Sequence, residues 1–265
     1  MQINILLFSV FFVFSGCSKD SIQKEKKTRI AGSNEKKLLK SKKPFSVVVK
    51  IKWKIKTGEK TSVLEELSTL TGDAQGHLHG ITELSSEDGH EFIYMKDKIC
   101  VRLRYEKFIC RKPVEDEEVE KSSGILSAFK QLLGEISDGV VLHTENTENG
   151  KTRTNISQGS KNEPVKTSDG KFGGKILKTE GFFINDKSGN VLSGTLSFMV
   201  KYFDANNKPV YVSVEIQHKL SGSDTKIKMP PDNMISKNWK KPRPLVDRKR
   251  LLGETIPTGL KYLFR

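Results

Sequence analysis

A chain of 265 residues with 35% hydrophobic content and 14 Phe is long enough for a medium-sized domain with an apolar core, which excludes a wholly disordered chain. Its formal net charge is +14, from 46 Lys and Arg against 32 Asp and Glu. The long apolar run from Ile3 to Phe14 is about a dozen residues, whereas a transmembrane helix needs about 20, so the run has the length of a signal-peptide core and is too short to span a bilayer.

Small residues and a cysteine follow this apolar run. Ser15 and Gly16 have the small side chains that a cleavage site requires, and Phe14-Ser15-Gly16-Cys17 resembles the bacterial lipobox, in which signal peptidase II cuts before the cysteine and the thiol receives a diacylglyceryl group. Residues 2–8 hold no Lys or Arg, so the usual basic region is reduced to the terminal amine. We predict a lipoprotein signal peptide at residues 1–16 and lipid attachment at Cys17. The alternative is a buried N-terminal strand with an incidental cysteine.

The positive charge is concentrated at the two ends of the chain. Residues 18–43 carry ten Lys or Arg against three Asp or Glu, and residues 226–265 carry eleven against three. The segment between them is close to neutral, and residues 18–43 contain no aromatic side chain that could stack on a base, so no nucleic-acid partner is expected. We predict that residues 17–43 are the lipidated cysteine and a disordered basic tether, which either contacts anionic lipid head groups or is simply solvated.

The domain opens with a strictly alternating pattern. Apolar side chains at Val49, Ile51, Trp53 and Ile55 alternate with lysines, which predicts an antiparallel strand with one apolar and one solvated face. Shorter strand signals follow at residues 61–71, 77–84, 91–95, 99–104 and 108–111. The spacing predicts a meander of strands.

Two cysteines remain once Cys17 is assigned to the lipid. Cys100 and Cys110 flank Tyr105-Glu106-Lys107, so a hairpin centred there places them nearly opposite each other, at the distance that a disulfide needs. A register shift of one residue would put them on opposite faces of the sheet, and the sequence leaves this bridge open.

From Pro113 the apolar period becomes that of a helix. Apolar residues recur every three to four positions, at Val119, Ile125, Leu126, Phe129, Leu132, Leu133 and Ile136. Pro113 and the acidic residues 115–118 are typical of a helix N-terminus, and Gly139 is a plausible stop. We predict one amphipathic helix at about residues 115–138, whose apolar stripe packs on the apolar face of the sheet.

The longest alternating patterns lie at residues 176–184, 191–202 and 210–220, and they predict three consecutive long antiparallel strands. Their apolar positions include Leu196, Phe198, Val200, Val212, Val214 and Ile216. Together with Val49, Ile51, Trp53 and Ile55, these residues form a predicted apolar face that either lines a cavity or is a filled core. Long strands with one apolar face are typical of a strongly curved sheet or barrel wall.

These patterns predict a mainly β fold with one or two helices, of the α+β class: a strongly curved antiparallel sheet or half-barrel packed on an amphipathic helix. This domain occupies residues 44–225. Residues 226–265 lose the alternation and gain the proline pairs 230–231 and 242/244, so we predict a basic C-terminal arm with one short helix near Leu245 to Leu252.

The sequence offers no recognisable set of catalytic or metal-binding residues. His77 and His79 lie two apart with His90 further along, but no zinc-binding spacing accompanies them, and no phosphate-binding loop or nucleophile elbow is found. His218 falls in the apolar register of its strand, where a hydrogen-bonded core histidine is expected. We predict no enzymatic activity and no cofactor.

The lipobox, the polar tether, the long-stranded curved sheet and the helix between two groups of strands together resemble the lipoprotein-carrier superfamily of incomplete β-barrels, the LolA/LolB-like and LppX/LprG-like proteins. The hairpin from Ile93-Tyr94-Met95 to Tyr105-Glu106-Lys107-Phe108, and the segment 242–248, look like segments of bacterial lipoproteins of similar length. In the carriers, a concave apolar sheet face with helices as a lid holds acyl chains.

The resemblance implies a lipid-anchored envelope protein, facing the periplasm, that binds a lipid or another apolar ligand in a half-barrel cavity. The alternative is a structural or interaction lipoprotein with a filled core that contacts an envelope protein or peptidoglycan. Ser18 after the lipidated cysteine implies the outer membrane of a host with two membranes, with the inner membrane or the cell surface as alternatives.

Overall fold

The computed structural model describes residues 35–40, 42–95, 97–113, 115–159, 164–165, 174–203 and 207–237. The predicted signal peptide, Cys17 and the predicted short helix near residues 245–252 lie outside the described residues. Within the described ranges, no helix has both the length and the apolar character needed to cross a bilayer.

Twelve strands among the described residues form one antiparallel sheet, in the order β6-β5-β4-β3-β2-β1-β12-β11-β10-β8-β7, with β9 also paired to β10. Their bounds are β1 Phe45–Thr57, β2 Lys60–Gly72, β3 Leu78–Leu84, β4 Gly89–Met95, β5 Lys98–Leu103, β6 Ile109–Arg111, β7 Val140–Asn146, β8 Thr152–Gln158, β9 Pro164–Val165, β10 Gly174–Asn185, β11 Val191–Phe203 and β12 Pro209–Gly222. The open antiparallel sheet confirms the predicted fold class.

One strand pairing joins the two halves of this sheet. The first strand β1 lies between β2, its neighbour in sequence, and β12, the last strand, with Ile51 opposite Ile216 on β12 and opposite Glu66 on β2. Side chains alternate across each strand, so one face is apolar and the other carries the lysines at positions 50, 52, 54 and 56. We refer to the apolar face as the inner face and to the lysine-bearing face as the outer face.

Three short α-helices in the described part of the chain accompany the sheet: α1 at residues 35–40, α2 at Glu115–Leu126 and α3 at Ala128–Glu135. The prediction of one continuous helix to about residue 138 is therefore wrong. The interruption lies at Ser127, whose hydroxyl donates to the Ser123 carbonyl at 2.5 Å. A serine hydroxyl that bonds the carbonyl four residues back competes with the helical backbone pattern and bends the helix.

The C-terminal part of the segment predicted as a disordered tether, residues 17–43, is folded. Residues 35–40 are helical, Leu38 and Leu39 pack against the core, and Glu35 accepts a hydrogen bond from Lys130 Nζ at 3.2 Å. The sequence shows only two adjacent leucines here, too few for a periodic signal, so the contact with α3 could not be read from it. Residues 35–40 therefore belong to the folded domain.

The first part of the predicted C-terminal arm packs on the outer face of β4–β6. Phe108 N–H donates to Met234 O at 2.8 Å, and Ser236 N–H donates to Phe108 O at 2.8 Å. A second apolar cluster forms beneath this segment, from Ile93, Cys100, Phe108 and Ile227 with Met95, Cys110, Met229, Met234 and Ile235. Cys100 lies directly opposite Cys110 in the β5–β6 register, and the two are disulfide-bonded in this cluster.

Candidate functional site

The inner face brings all ten residues of the predicted apolar face into one packed cluster. Three cross-strand rows run over β1, β12 and β11: Ile51–Ile216–Leu196, Trp53–Val214–Phe198 and Ile55–Val212–Val200, with Val49 one row further along β1. Nine of the ten side chains are buried and Trp53 is partly buried. The strand alternation placed these residues on one face, and the β1–β12 pairing makes the face continuous.

Helix α3 covers this face with its own apolar side chains. Phe129 is fully buried and meets the Phe183 ring edge-on at a centroid distance of 5.7 Å and the His218 ring at 6.4 Å. Gly194 on β11 makes this approach possible, because a Cβ atom there would lie only 3.1 Å from the Phe129 ring. His218 is itself buried, and its Nε2 lies 3.0 Å from the Val191 carbonyl, as expected of a hydrogen-bonded core histidine.

Helix α2 meets the inner face with polar side chains. Its buried residues Glu118, Lys121, Ser122 and Ile125 follow the spacing of one helical stripe, and Ile125 belongs to the core. The predicted stripe began instead at Val119, which is only partly buried. The buried polar residues of α2 could not be found from the helical period, because that period counts only apolar positions.

The sheet under α2 is also polar. Helix α2 packs against β1 and β2. On β2, the buried Ser68 hydroxyl donates to Glu66 Oε1 at 2.7 Å, and Thr82 Oγ1 on β3 lies 2.9 Å from Ser68 Oγ. His90 on β4 lies opposite Thr82 and is buried as well. We use the name polar seam for the buried residues Glu66, Ser68, Thr82, His90, Glu118, Lys121 and Ser122.

Burial has a clear electrostatic effect on one carboxyl of the polar seam. Desolvation raises the pKa of Glu118 to about 7, and the neighbouring charges of Glu117 and Glu115 add to the rise, while Arg111 opposes it. Burial also raises the pKa of Tyr94, with Glu118 as the largest charge contribution. Glu118 is therefore protonated in a large part of the molecules at neutral pH.

Several polar atoms at the inner face have no hydrogen-bond partner among the described residues. They include Glu118 Oε1, Ser122 Oγ and Trp53 Nε1. Each such buried group costs about 1 to 3 kcal/mol unless a ligand or water satisfies it. Polar residues default to the surface, so the sequence contains no signal that these groups are buried.

We expect Glu118→Gln to change the pH dependence of stability. The unfolded carboxyl has an ordinary pKa near 4.3, so in the folded chain the raised pKa means that extra protons are bound between about pH 4 and 7. The contribution of Glu118 to the stability of the wild type therefore falls by about 2 to 3 kcal/mol as the pH rises through this window, and the glutamine variant lacks this contribution. Urea denaturation at pH 4.5 and pH 8 measures the difference.

The control for this experiment is Glu59→Gln, in the exposed turn between β1 and β2. The Glu59→Gln curve should follow that of the wild type at both pH values. If the Glu118→Gln variant and the wild type lost stability in parallel between pH 4.5 and pH 8, the carboxyl of Glu118 would not be buried as described.

The outer face differs in character from the inner face. A groove of about 510 Å³ lies there, and charges of both signs line it, including Lys50, Lys52, Glu65, Glu83, Arg104 and Glu215. Lys52 and Glu65 form an ion pair at 2.8 Å. Two histidines on the same side of the molecule hydrogen-bond to different carboxylates, His77 to Asp73 and His79 to Glu91. These groups suit polar contacts and not an acyl chain.

No family model and no curated protein matches the sequence. A DUF1329 family protein from Desulfovibrio piger matches with a TM-score of 0.23 at 10% identity, covering 76% of this chain and 94% of its own. A structure from Vibrio parahaemolyticus, described as an outer membrane lipoprotein-sorting protein domain, matches with a TM-score of 0.22 at 9% identity, covering 73% and 93%. A LolA superfamily protein from Nitrosomonas europaea has a TM-score of 0.20 at 10% identity, covering 78% and 97%.

Two of these three structures belong by description to the class of protein that the sequence resembles. TM-scores this low say nothing about function. What the sheet can bind follows from its own residues.

Proposed function

We propose that this chain is a lipid-anchored envelope protein that faces the periplasm and binds a lipid or another apolar ligand between the inner face and helices α2 and α3. The observation that carries the proposal is the set of apolar rows across β1, β12 and β11, which two short helices cover. Burial of an alkyl chain against such a surface contributes about 0.8 kcal/mol of binding free energy for each CH₂ group.

The position of the helices in the chain supports their role as a lid. Residues 112–139 form an insertion between β6 and β7, which are the two outermost strands of the sheet order. The direct β1–β12 pairing holds the two halves of the sheet together without α2 or α3. The helices can therefore move off the inner face while the strand pairing stays intact. The buried polar groups of α2 lower the cost of that movement, because they regain water when α2 lifts.

The anchoring is part of the same proposal. Cys17 would carry the lipid, and the basic residues that follow it would hold the domain beside anionic head groups. We propose that the chain from Cys17 to α1 acts as a tether, whose reach of about 25 Å would keep the domain clear of the bilayer surface. Ser18 favours the outer membrane, on its periplasmic side.

A second candidate function is supported by the packing of α3. The fully buried Phe129, with Leu132 and Ile136, fills the space over β11 and β12 as a closed core would. In that case the protein is a structural or interaction lipoprotein, and its contacts with envelope partners use the outer face.

Binding of lipid distinguishes the two candidates. The chain purified from membranes is analysed by native mass spectrometry, and the delipidated chain is titrated with an apolar fluorescent probe. A ligand-binding protein should retain lipid adducts and take up the probe. Uptake should also speed backbone hydrogen exchange in α2 and α3 while β1 and β12 stay protected. A clean mass with no uptake would overturn the ligand-binding proposal and favour the filled core.

A further inference from the structure

We infer that the polar seam receives the head group of the bound ligand, and that this head group is uncharged and carries a hydroxyl or an amide. The inference rests on the proposed function, because it assigns a place and a chemistry to one end of the apolar ligand. The polar seam is the part of the inner face where both the sheet and the covering helix are polar.

The first support is the set of buried polar groups that lack partners. Ser122 is 0% exposed and Glu118 is 6% exposed, and both Ser122 Oγ and Glu118 Oε1 are without a hydrogen-bond partner among the described residues. Both side chains lie on the buried stripe of α2, which packs on the sheet. A head group placed between α2 and β2 would lie beside the stripe that carries both side chains, and each bond that it makes would remove a penalty already present in the protein.

The second support is the position of the polar seam beside the apolar rows. On β1 and β2, Val49 lies opposite Ser68 and Ile51 lies opposite Glu66, so in these two rows the surface changes from apolar to polar between the strands. The neighbouring row, with Leu70 on β2, stays apolar. An acyl chain that lies along the rows of β1, β12 and β11 would end at this boundary. The head group attached to the chain would then enter the polar seam and not the apolar core.

The third support is the charge of the polar seam and its surroundings. Glu66 and Glu118 are buried in it, and Glu115 and Glu117 lie on the same helix. The basic side chains are Lys121, His90 and Arg111, and Arg111 is paired with Glu117 at 2.5 Å. A phosphate or carboxylate head group would lie against the buried carboxyl groups of Glu66 and Glu118, and it would force Glu118 to stay protonated, which is costly in a site shielded from water. A hydroxyl or amide both donates and accepts, so it can bond a serine hydroxyl and a carboxyl together.

The test compares four ligands that share an oleoyl chain: oleoylglycerol, oleamide, oleate and oleoyl lysophosphatidate. Their affinities for the full chain are measured by displacement of the neutral probe N-phenyl-naphthylamine. We expect oleoylglycerol and oleamide to bind on the order of tenfold more tightly than the two anions. The variant Ser122→Ala should weaken oleoylglycerol binding about five- to tenfold, the loss of one hydrogen bond, and leave oleate binding unchanged.

The matched control is Ser123→Ala, the next residue of α2, which lies off the buried stripe and should bind all four ligands as the wild type does. Ser122→Ala removes a hydroxyl without a partner, so its thermal unfolding should stay unchanged or rise, which separates a lost ligand contact from a lost fold. Equal binding of all four ligands, or a Ser122→Ala variant that keeps the preference, would overturn this inference alone. Binding of none of the four would overturn the proposed function as well.

Discussion

Replacing Phe129 with alanine should lower the free energy of unfolding by about 3 to 5 kcal/mol. The ring is 0% exposed and lies between Phe183 and His218, close to the backbone of Gly194. Its removal takes away apolar contacts and leaves a cavity that the sheet cannot close, since strand pairing holds β10, β11 and β12 in place. Urea denaturation of the full chain at pH 7 measures the loss.

Leu142→Ala is the control for this substitution. Leu142 on the edge strand β7 is 50% exposed, so its truncation should change stability by no more than about 0.5 kcal/mol. A similarly small effect of Phe129→Ala would contradict the packed position of α3. The same variant also bears on function, because a cavity opened over β11 should increase uptake of the apolar probe if the inner face binds ligand.

Replacing Cys17 with serine should abolish acylation of the protein. A serine hydroxyl does not replace the thiol that accepts the diacylglyceryl group, and signal peptidase II requires that modified cysteine, so the chain should remain uncut before residue 17. Metabolic labelling with palmitate should fall to background, and the intact mass should include the N-terminal 16 residues.

The double variant Cys100→Ser/Cys110→Ser is the control for the labelling experiment. These two cysteines are bonded to each other in the cluster under the C-terminal segment, so their loss should leave palmitate labelling unchanged. Labelling of Cys17→Ser at the wild-type level would remove the basis for a lipid anchor and with it the tether and the membrane location.

The strands were predictable because their alternation is a local property. Each inner-facing residue from Val49 to Ile55 is apolar and each outer-facing one from Lys50 to Lys56 is a lysine, and the pattern is the same whichever strand lies alongside. The bounds were therefore found to within a few residues for most strands. The apolar face was found for the same reason.

The polar seam was not predictable, because no local sequence pattern indicates that a polar side chain is buried. Glu118, Lys121 and Ser122 have the spacing of a core stripe, yet glutamate, lysine and serine are usually predicted to be solvent-exposed. Their burial depends on where α2 crosses the sheet. The break at Ser127 was missed because a serine inside a helical pattern is also compatible with a continuous helix.

By itself, the sequence determined most of the strands, with the exception of β7, β8 and β9, and it determined which face of the long strands is apolar. It also showed that a helical segment lies between two groups of strands and that the N-terminus resembles a lipoprotein signal. These features depend on residues near each other in the chain. Only the tertiary structure decided that β1 pairs with β12 and that residues 35–40 and 226–236 pack on the domain. It also decided that the buried polar side chains of α2 pack on the polar part of the inner face. These contacts join residues far apart in sequence, so their energies depend on the folded arrangement and are not encoded in any local period.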